Sequence, residues 1–511
     1  MRRAALWTLL LIAAGARLHL QMAAMPPYAG LDETYHVARL AFTLQENRSP
    51  TMREASIPPY LQASIAGRPD ALPTFGPLGP AWPALVASGQ PLLPDHVLSP
   101  SDLRPYRGAN YEAQQPSLYY AIVAPAARLL PERTPLNELR VWRAASALFA
   151  LATVVIVAVI ATRIAGPAGL LAAALLASLP TWLTLVVRAS NDALACLFIA
   201  AALAVTLRNP QQRAGHVAEG VLWAAAFATK LYAWPVAVVL PFAWRIQRAS
   251  RARIFVVILI GTIGVAATVA DLASRTNNPL GLFAFDPPQS SARPVVPIAY
   301  DQMVRTFLAS FAWTSAQHFN ALRPIGIALY AIPVLALVAF VWVRHWRSYR
   351  PLLAMCFLAT AAFALAQIVN AAGYIRTARA AGVALPAGGK EGWYWYTLAP
   401  LGIAALAVVI RHAPKPAAIA LVIWLAAWDV LIQEGAQMQD FAGRTRAGAG
   451  DRIVAWGPRA LPFTEDLRLE RMSAGPGVSI LTIDRLVHVS ALMALLAAVL
   501  RAGTRPAPRD A

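Results

Sequence analysis

The sequence predicts an all-α polytopic membrane protein with about twelve transmembrane helices, and three observations lead there. Of its 511 residues, 58% are hydrophobic and only 14% charged, and the mean hydropathy is +0.52, outside the range of soluble globular domains. Apolar runs recur along the chain at about 18 to 23 residues, the length a helix needs to cross roughly 30 Å of hydrocarbon. The formal charge of +19 is spread over short connections between those runs, as the positive-inside rule expects of a membrane protein. No basic stretch alternates with exposed aromatics, so a nucleic-acid partner is not expected. The two cysteines, Cys196 and Cys356, sit far apart inside apolar segments, which excludes a disulfide framework or a thiolate metal site.

Residues 1–24 begin Met1-Arg2-Arg3 and continue as an apolar run. Arg17 and His19 shorten its hydrophobic core to Ala4–Ala16, the size of a signal-peptide core, but an uncleaved first span is the reading adopted. Residues 25–140 hold 18 of the 40 prolines and ten Asp/Glu against nine Lys/Arg, a near-neutral loop suited to the trans side. From 141 to 273 the apolar runs cover 141–163, 168–187, 190–207, 217–246 and 253–273. The run 217–246 is long for one span, and arginines flank both of its ends: Arg208 and Arg213 before it, Arg245, Arg248, Arg251 and Arg253 after it. A hairpin turning near Lys230-Leu231-Tyr232-Ala233-Trp234-Pro235 places both ends on the cytoplasmic side. Residues 274–323 read as a second outer loop. Residues 324–433 carry four more spans with an outer loop at 372–393, residues 434–480 form a further outer loop, and 481–511 hold the last span and a basic tail. Both termini are expected in the cytoplasm. With the hairpin, the clusters Arg344/Arg347/Arg350, Arg411/Lys415 and Arg501/Arg505/Arg509 all fall inside.

Polar residues concentrate in the first outer loop. Leu31-Asp32-Glu33-Thr34-Tyr35-His36 sets two carboxylates and an imidazole just past the first span. A carboxylate at a water–lipid boundary suits general-base work when partial burial lifts its pKa. Asp32 is equally placed to cap a helix over Thr34 to Glu46, and spacing leaves both readings open. Tyr111-Glu112-Ala113-Gln114-Gln115-Pro116-Ser117-Leu118-Tyr119-Tyr120 supplies a carboxylate, two amides and phenols ahead of the next apolar run, where a proline-started helix with aromatic anchors is the bland alternative. Ser190-Asn191-Asp192 lies at the outer end of a span, either as a polar site element or as a serine cap. Lys230 stands in an apolar hairpin, where it is either functional or snorkels to the interface.

The Asp-Glu-x-x-His element and the Glu-x-x-x-Pro-x-Leu-Tyr-Tyr element together resemble the GT-C superfamily of polyprenyl-phosphate-dependent glycosyltransferases, in particular family 39, which includes protein O-mannosyltransferases and lipid A aminoarabinose transferases. The resemblance implies an enzyme that moves a sugar, with inversion, from a polyprenyl-phosphate donor to a lipid, glycan or protein acceptor at the periplasmic face of a bacterial inner membrane. It implies Asp32 as the base, with Glu33 and Glu112 orienting the acceptor or assisting. His36, Gln114, Gln115, Tyr119, Asn191, Asp192, Lys230 and Tyr394 would contact substrate. Where relatives often carry a Gly-Arg-Tyr element, this chain reads Glu391-Gly392-Trp393-Tyr394-Trp395-Tyr396, so Arg376, Arg379 or Lys390 in the same loop would take the phosphate. No cofactor is certain. A divalent metal ion would draw on Asp32, Glu33 and Glu112 with His36, His96 and His318, although no tight histidine spacing marks such a site. A twelve-span secondary transporter is the alternative from another class, but its coupling charges belong near the bilayer midplane rather than in a loop. A non-catalytic glycan-assembly protein is the other. Phosphate-cradling loops, nucleophile elbows and dinucleotide fingerprints are absent from the sequence.

Overall fold

Apolar side chains every few residues, interrupted by proline, glycine and basic residues at the ends of the runs, fold as the sequence leads one to expect. In a computed structural model, the structure describes residues 2–25, 28, 32–58, 60, 61, 64, 110–276, 324–380, 392–437 and 480–501. Among these, helices account for the architecture and no β-strand occurs. Helix α1 (Arg2–Ala24) runs along the bundle, and α2 (Glu33–Glu46) lies at the end that α1 reaches. A single 3-10 turn at Tyr111–Gln114 leads into α3 (Leu118–Val123). Helix α4 (Pro135–Ala165) starts with proline in its first turn, and the Thr134 hydroxyl accepts the Asn137 N–H at 3.2 Å as its cap. Helices α5 (Ala168–Leu176) and α6 (Pro180–Val187) meet at a 66° bend where Pro180 opens the second piece.

The hairpin assigned to 217–246 is visible in the packing. Helix α7 (Asp192–Arg208) is followed by α8 (Arg213–Thr229), whose ladder ends at Lys230. Short helical pieces then lead through 231–246 back to the starting level, where Asn209 Nδ2 donates to the Gln247 carbonyl at 3.3 Å. Helix α9 (Arg251–Arg275) therefore climbs parallel to α8, and the two approach closely through small residues. A Cβ on Gly220 would come 2.9 Å from Ile260, and one on Gly264 would come 2.4 Å from Ala224. At the lower end of this group, the buried Glu219 carboxylate accepts from Arg253 Nε at 2.7 Å, Thr206 Oγ1 at 3.0 Å and Trp244 Nε1 at 3.2 Å.

Helices α10 (Pro324–His345), α11 (Arg350–Ala380), α12 (Ala399–His412), α13 (Lys415–Gln437) and α14 (Ile480–Arg501) complete the described bundle. Helix α14 packs antiparallel on α1: Asp484 meets His19 Nδ1 at 2.7 Å, and His488 Nδ1 meets the Ala13 carbonyl at 2.8 Å. Deep in the bundle, Arg17 of α1 forms a two-pronged pair with Asp429 of α13, both contacts 2.7 Å.

The count of twelve spans is where the structure is coarser than the sequence expectation. Seven helices are long and apolar enough to cross a bilayer, eight with the bent pair α5–α6, among the described residues. Helices α7 and α8 have 17 residues each, and the return arm at 231–246 is broken, so length alone does not make them full crossings.

Candidate active site

The two loop motifs come together at the end of the bundle reached by α1. Asp32 occupies the N-cap position of α2 with φ 57° and ψ 6°, a left-handed conformation that Asp tolerates better than most residues. Its carbonyl accepts the Tyr35 and His36 N–H groups, both at 3.0 Å, yet its side chain makes no capping hydrogen bond. The carboxylate is partly exposed and lies within electrostatic range of Tyr35, Glu112 and Arg188. Glu33, the next residue, is fully buried. Arg143 of α4 grips it through Nε at 2.8 Å and a terminal nitrogen at 2.6 Å, and the Ala189 N–H donates to it at 3.0 Å. Arg143 also donates to the Met25 carbonyl at 2.6 Å, so this pair ties the end of α1, α2 and α4 together.

His36 faces the second motif. Its Nδ1 lies 2.6 Å from the Tyr120 hydroxyl and 3.3 Å from Glu112 Oε2. Burial pushes the imidazole pKa down, and Arg188 adds to that. Burial pushes Glu112 up to about 8, with Asp32 as the second cause. Both groups are therefore uncharged at neutral pH, and the His36–Glu112 contact is a hydrogen-bonding relay rather than an ion pair.

Arg39, one turn beyond His36, holds the second motif in place. Its guanidinium donates to the Glu112 carbonyl at 2.5 Å and the Gln115 carbonyl at 2.8 Å, and sits 3.7 Å above the Tyr120 ring. Burial lowers its pKa only to about 10, so it stays cationic. From the other side, Arg275 at the end of α9 donates to the Ala113 carbonyl at 2.8 Å and Ser117 Oγ at 3.0 Å. Asn110 caps the turn, accepting the Glu112 N–H at 3.0 Å and donating to the Tyr35 carbonyl at 2.8 Å.

Beside this relay lies a charged triad. Asp192 Oδ1 pairs with Lys230, and Oδ2 accepts from Arg188 at 2.5 Å and from Ser190 Oγ at 3.0 Å. Lys230 is buried in this pair rather than snorkelling. Ser190 does not cap α7; Asn191 holds that position, without a side-chain cap bond. Asn191 Nδ2 instead donates to the Thr229 carbonyl at 3.1 Å and to Gln115 Oε1 at 3.4 Å, joining the second motif to the hairpin. Asp192 and Lys230 line a narrow cleft, with Leu185, Cys196, Tyr232 and Tyr396 on its walls. Tyr232 and Trp395 flank Phe363 with ring centroids 6.3 and 5.1 Å away, next to Tyr396 of this wall.

Of the candidate residues, Asp32, Glu33, His36, Glu112, Gln115, Asn191, Asp192 and Lys230 are thus gathered within one region, with Gln114 half-buried in the same turn. Tyr119 is buried and bonds Ser146 at 3.0 Å, within the packing beneath. Arg376 and Arg379 belong to α11, but their side chains, like that of Tyr394, lie outside the described residues, as do Lys390, His96 and His318. Among the described residues no group of three or more His, Cys, Asp or Glu side chains could hold a metal ion. The sequence reading missed Arg39, Arg143, Arg188 and Arg275. Two of them carried a signal: Arg39 stands three residues after His36 on one helix face, and Arg188 stands four before Asp192.

Fold and site together define a polytopic helical membrane protein with a half-buried acid, imidazole and cation site at one end of its bundle. No family model matches the chain, and no curated protein matches it. Among solved structures, it is similar to ArnT from Cupriavidus metallidurans bound to undecaprenyl phosphate, at 13% identity and a TM-score of 0.49, over 97% of this chain and 76% of that one. The apo state of the same protein gives 12% and 0.48 over the same shares.

Proposed function

We propose that this protein is a membrane glycosyltransferase that moves a sugar from a polyprenyl-phosphate donor to an acceptor hydroxyl, with inversion. The observation that carries the reading is the junction itself: Asp32 and the Glu112–His36 relay stand beside the Arg188–Asp192–Lys230 triad, an acid–base site against an anion site. Asp32 takes the proton from the acceptor hydroxyl as its oxygen bonds the anomeric carbon. The carbon–oxygen bond to phosphate breaks, and the lipid phosphate leaves with the electron pair. A phosphate is a weak base and needs charge stabilisation more than a proton, which Lys230 and Arg188 supply. Removing one such partner typically costs ~10² to 10³ in rate.

Glu33, locked to Arg143, positions α2 and thereby Asp32. Protonated Glu112 donates a hydrogen bond within the site, while Gln114, Gln115 and Asn191 are suited to sugar hydroxyls. Arg376, Arg379, Lys390 and Tyr394 remain proposed contacts for the donor. The opposite end of the bundle carries Arg163, Arg208, Arg245, Arg344, Arg347 and Arg411, which supports a periplasmic site and cytoplasmic termini. The test compares wild type with Asp32→Asn in detergent against a panel of polyprenyl-phosphate sugars, read by mass spectrometry of the lipid. Turnover in wild type alone is expected, with equal folding and lipid binding. Equal turnover in both moves the base elsewhere, and silence across the panel without lipid binding refutes the transferase reading.

A further inference from the structure

This inference rests on the donor reading above and concerns what Asp192 does there. A carboxylate in a phosphate subsite competes with the ligand for the same cations. Here both oxygens of Asp192 are engaged, Oδ1 by Lys230 and Oδ2 by Arg188 and Ser190, at the inner wall of the cleft. Arg188 is held by the same arrangement, with Nε donating to Ser190 Oγ at 3.0 Å. Two cations and one anion leave the triad at net +1.

We propose that Asp192 is the built-in counter-anion of the donor-phosphate subsite, holding Arg188 and Lys230 in place and fixing their charge at net +1, so that the subsite retains a phosphodiester and rejects a phosphomonoester. A polyprenyl phosphosugar is a phosphodiester with one negative charge, which balances the triad. Transfer leaves a phosphomonoester carrying about −1.5 to −2 near neutral pH, about half to one charge more than the triad balances. Asp192 then recaptures the two cations as the lipid leaves. The subsite thereby clears its own product. Removing the carboxylate charge raises the triad to net +2, which suits the product better than the donor.

The experiment measures equilibrium binding of undecaprenyl phosphate and of a non-hydrolysable undecaprenyl phosphodiester to the full chain in detergent at pH 7.5, for wild type, Asp192→Asn and Lys230→Gln. Wild type is expected to bind the diester more tightly than the monoester. Asp192→Asn is expected to tighten the monoester by about tenfold or more while changing the diester far less, in line with one unit charge a few ångströms away in a partly buried site. Lys230→Gln is expected to weaken both. Loss of both ligands in Asp192→Asn, with normal folding, makes Asp192 a mere positioner of Lys230 and overturns the proposal. Should that variant not fold, the wild-type preference decides: monoester binding as tight as diester binding overturns it. Displacement of the prenyl diester by phosphatidylglycerol at equal concentration assigns the subsite to bulk phospholipid and also overturns it. No binding of either prenyl ligand by wild type refutes the donor reading itself, a separate failure.

Discussion

Glu112→Gln is the perturbation that tests the protonation pattern of the site. The side chain is buried against His36 and Tyr120, and burial, then Asp32, lifts its pKa to about 8, while Lys230, Arg39 and Arg188 pull the other way. An unfolded chain would release the same proton near 4.3. The folded state therefore binds that proton more tightly, so its stabilising effect is complete below the ordinary carboxylate range. It declines as pH rises through neutrality and is gone above about 8. At about 1.4 kcal/mol per pH unit, the loss from pH 6.5 to 8 is about 2 kcal/mol. His36 works in the opposite sense but at lower pH: its folded pKa is depressed, so acidification through the imidazole range destabilises the fold. The window above pH 6.5 isolates Glu112. Glutamine has the shape of the protonated acid and cannot ionise, so the variant should fold and lose this part of the pH dependence. Thermal unfolding in detergent at half-unit steps from pH 6.5 to 8.5 is the assay, with the wild-type midpoint expected to fall more steeply than that of Glu112→Gln. Parallel curves would refute the protonated assignment.

Four other substitutions test the supports. Arg143→Ala leaves the buried Glu33 carboxylate without its guanidinium and should cost about 3 to 5 kcal/mol of stability, a loss that the double change with Glu33→Gln should partly restore. Arg17→Leu should destabilise to a similar degree through Asp429, and the added Asp429→Leu should recover most of it, as read by thermal unfolding. Arg39→Lys loses the fork that spans two carbonyls and the stacking on Tyr120; transfer activity should drop by about tenfold or more with little change in the unfolding midpoint. Gly264→Leu must displace Ala224 and should cost about 1 to 3 kcal/mol by wedging α8 from α9.

What was legible in the sequence depended on whether a signal was local. Apolar run length gave the helices, and charge on both flanks of 217–246 gave the reversal at Lys230, because each is a property of a short stretch. Asp32, Glu112 and Asp192 stood out as polar residues in apolar surroundings. The choice between cap and base for Asp32 was not legible, since it turns on where a side chain points once the backbone has taken the left-handed conformation. Partnerships across the chain were equally silent. Glu33 finds Arg143 110 residues away, and Arg17 finds Asp429 412 residues away, with no pattern near either end to announce it.

Those partnerships separate structural acids from the acid that can do chemistry. Five carboxylates are buried among the described residues: Glu33, Glu112, Glu138, Glu219 and Asp429. Four of them face an arginine, respectively Arg143 for Glu33, Arg133 for Glu138, Arg253 for Glu219 and Arg17 for Asp429. A guanidinium fixes a buried carboxylate through charge-assisted hydrogen bonds, which suits it to join helices. Glu112 differs: the nearby Arg39 spends its donors on the backbone carbonyls of Glu112 and Gln115 and leaves the carboxyl to His36 and Tyr120. The same arginine that fixes the turn in space thus avoids neutralising the group on it. An acid held in place by its backbone, buried, and with its carboxyl in direct contact with His36 and Tyr120 rather than a guanidinium, retains a proton near pH 7 and can give it up. Within the proposed transferase, that combination favours residue 112, rather than the more deeply buried Glu33, as the second working carboxyl beside the proposed base Asp32.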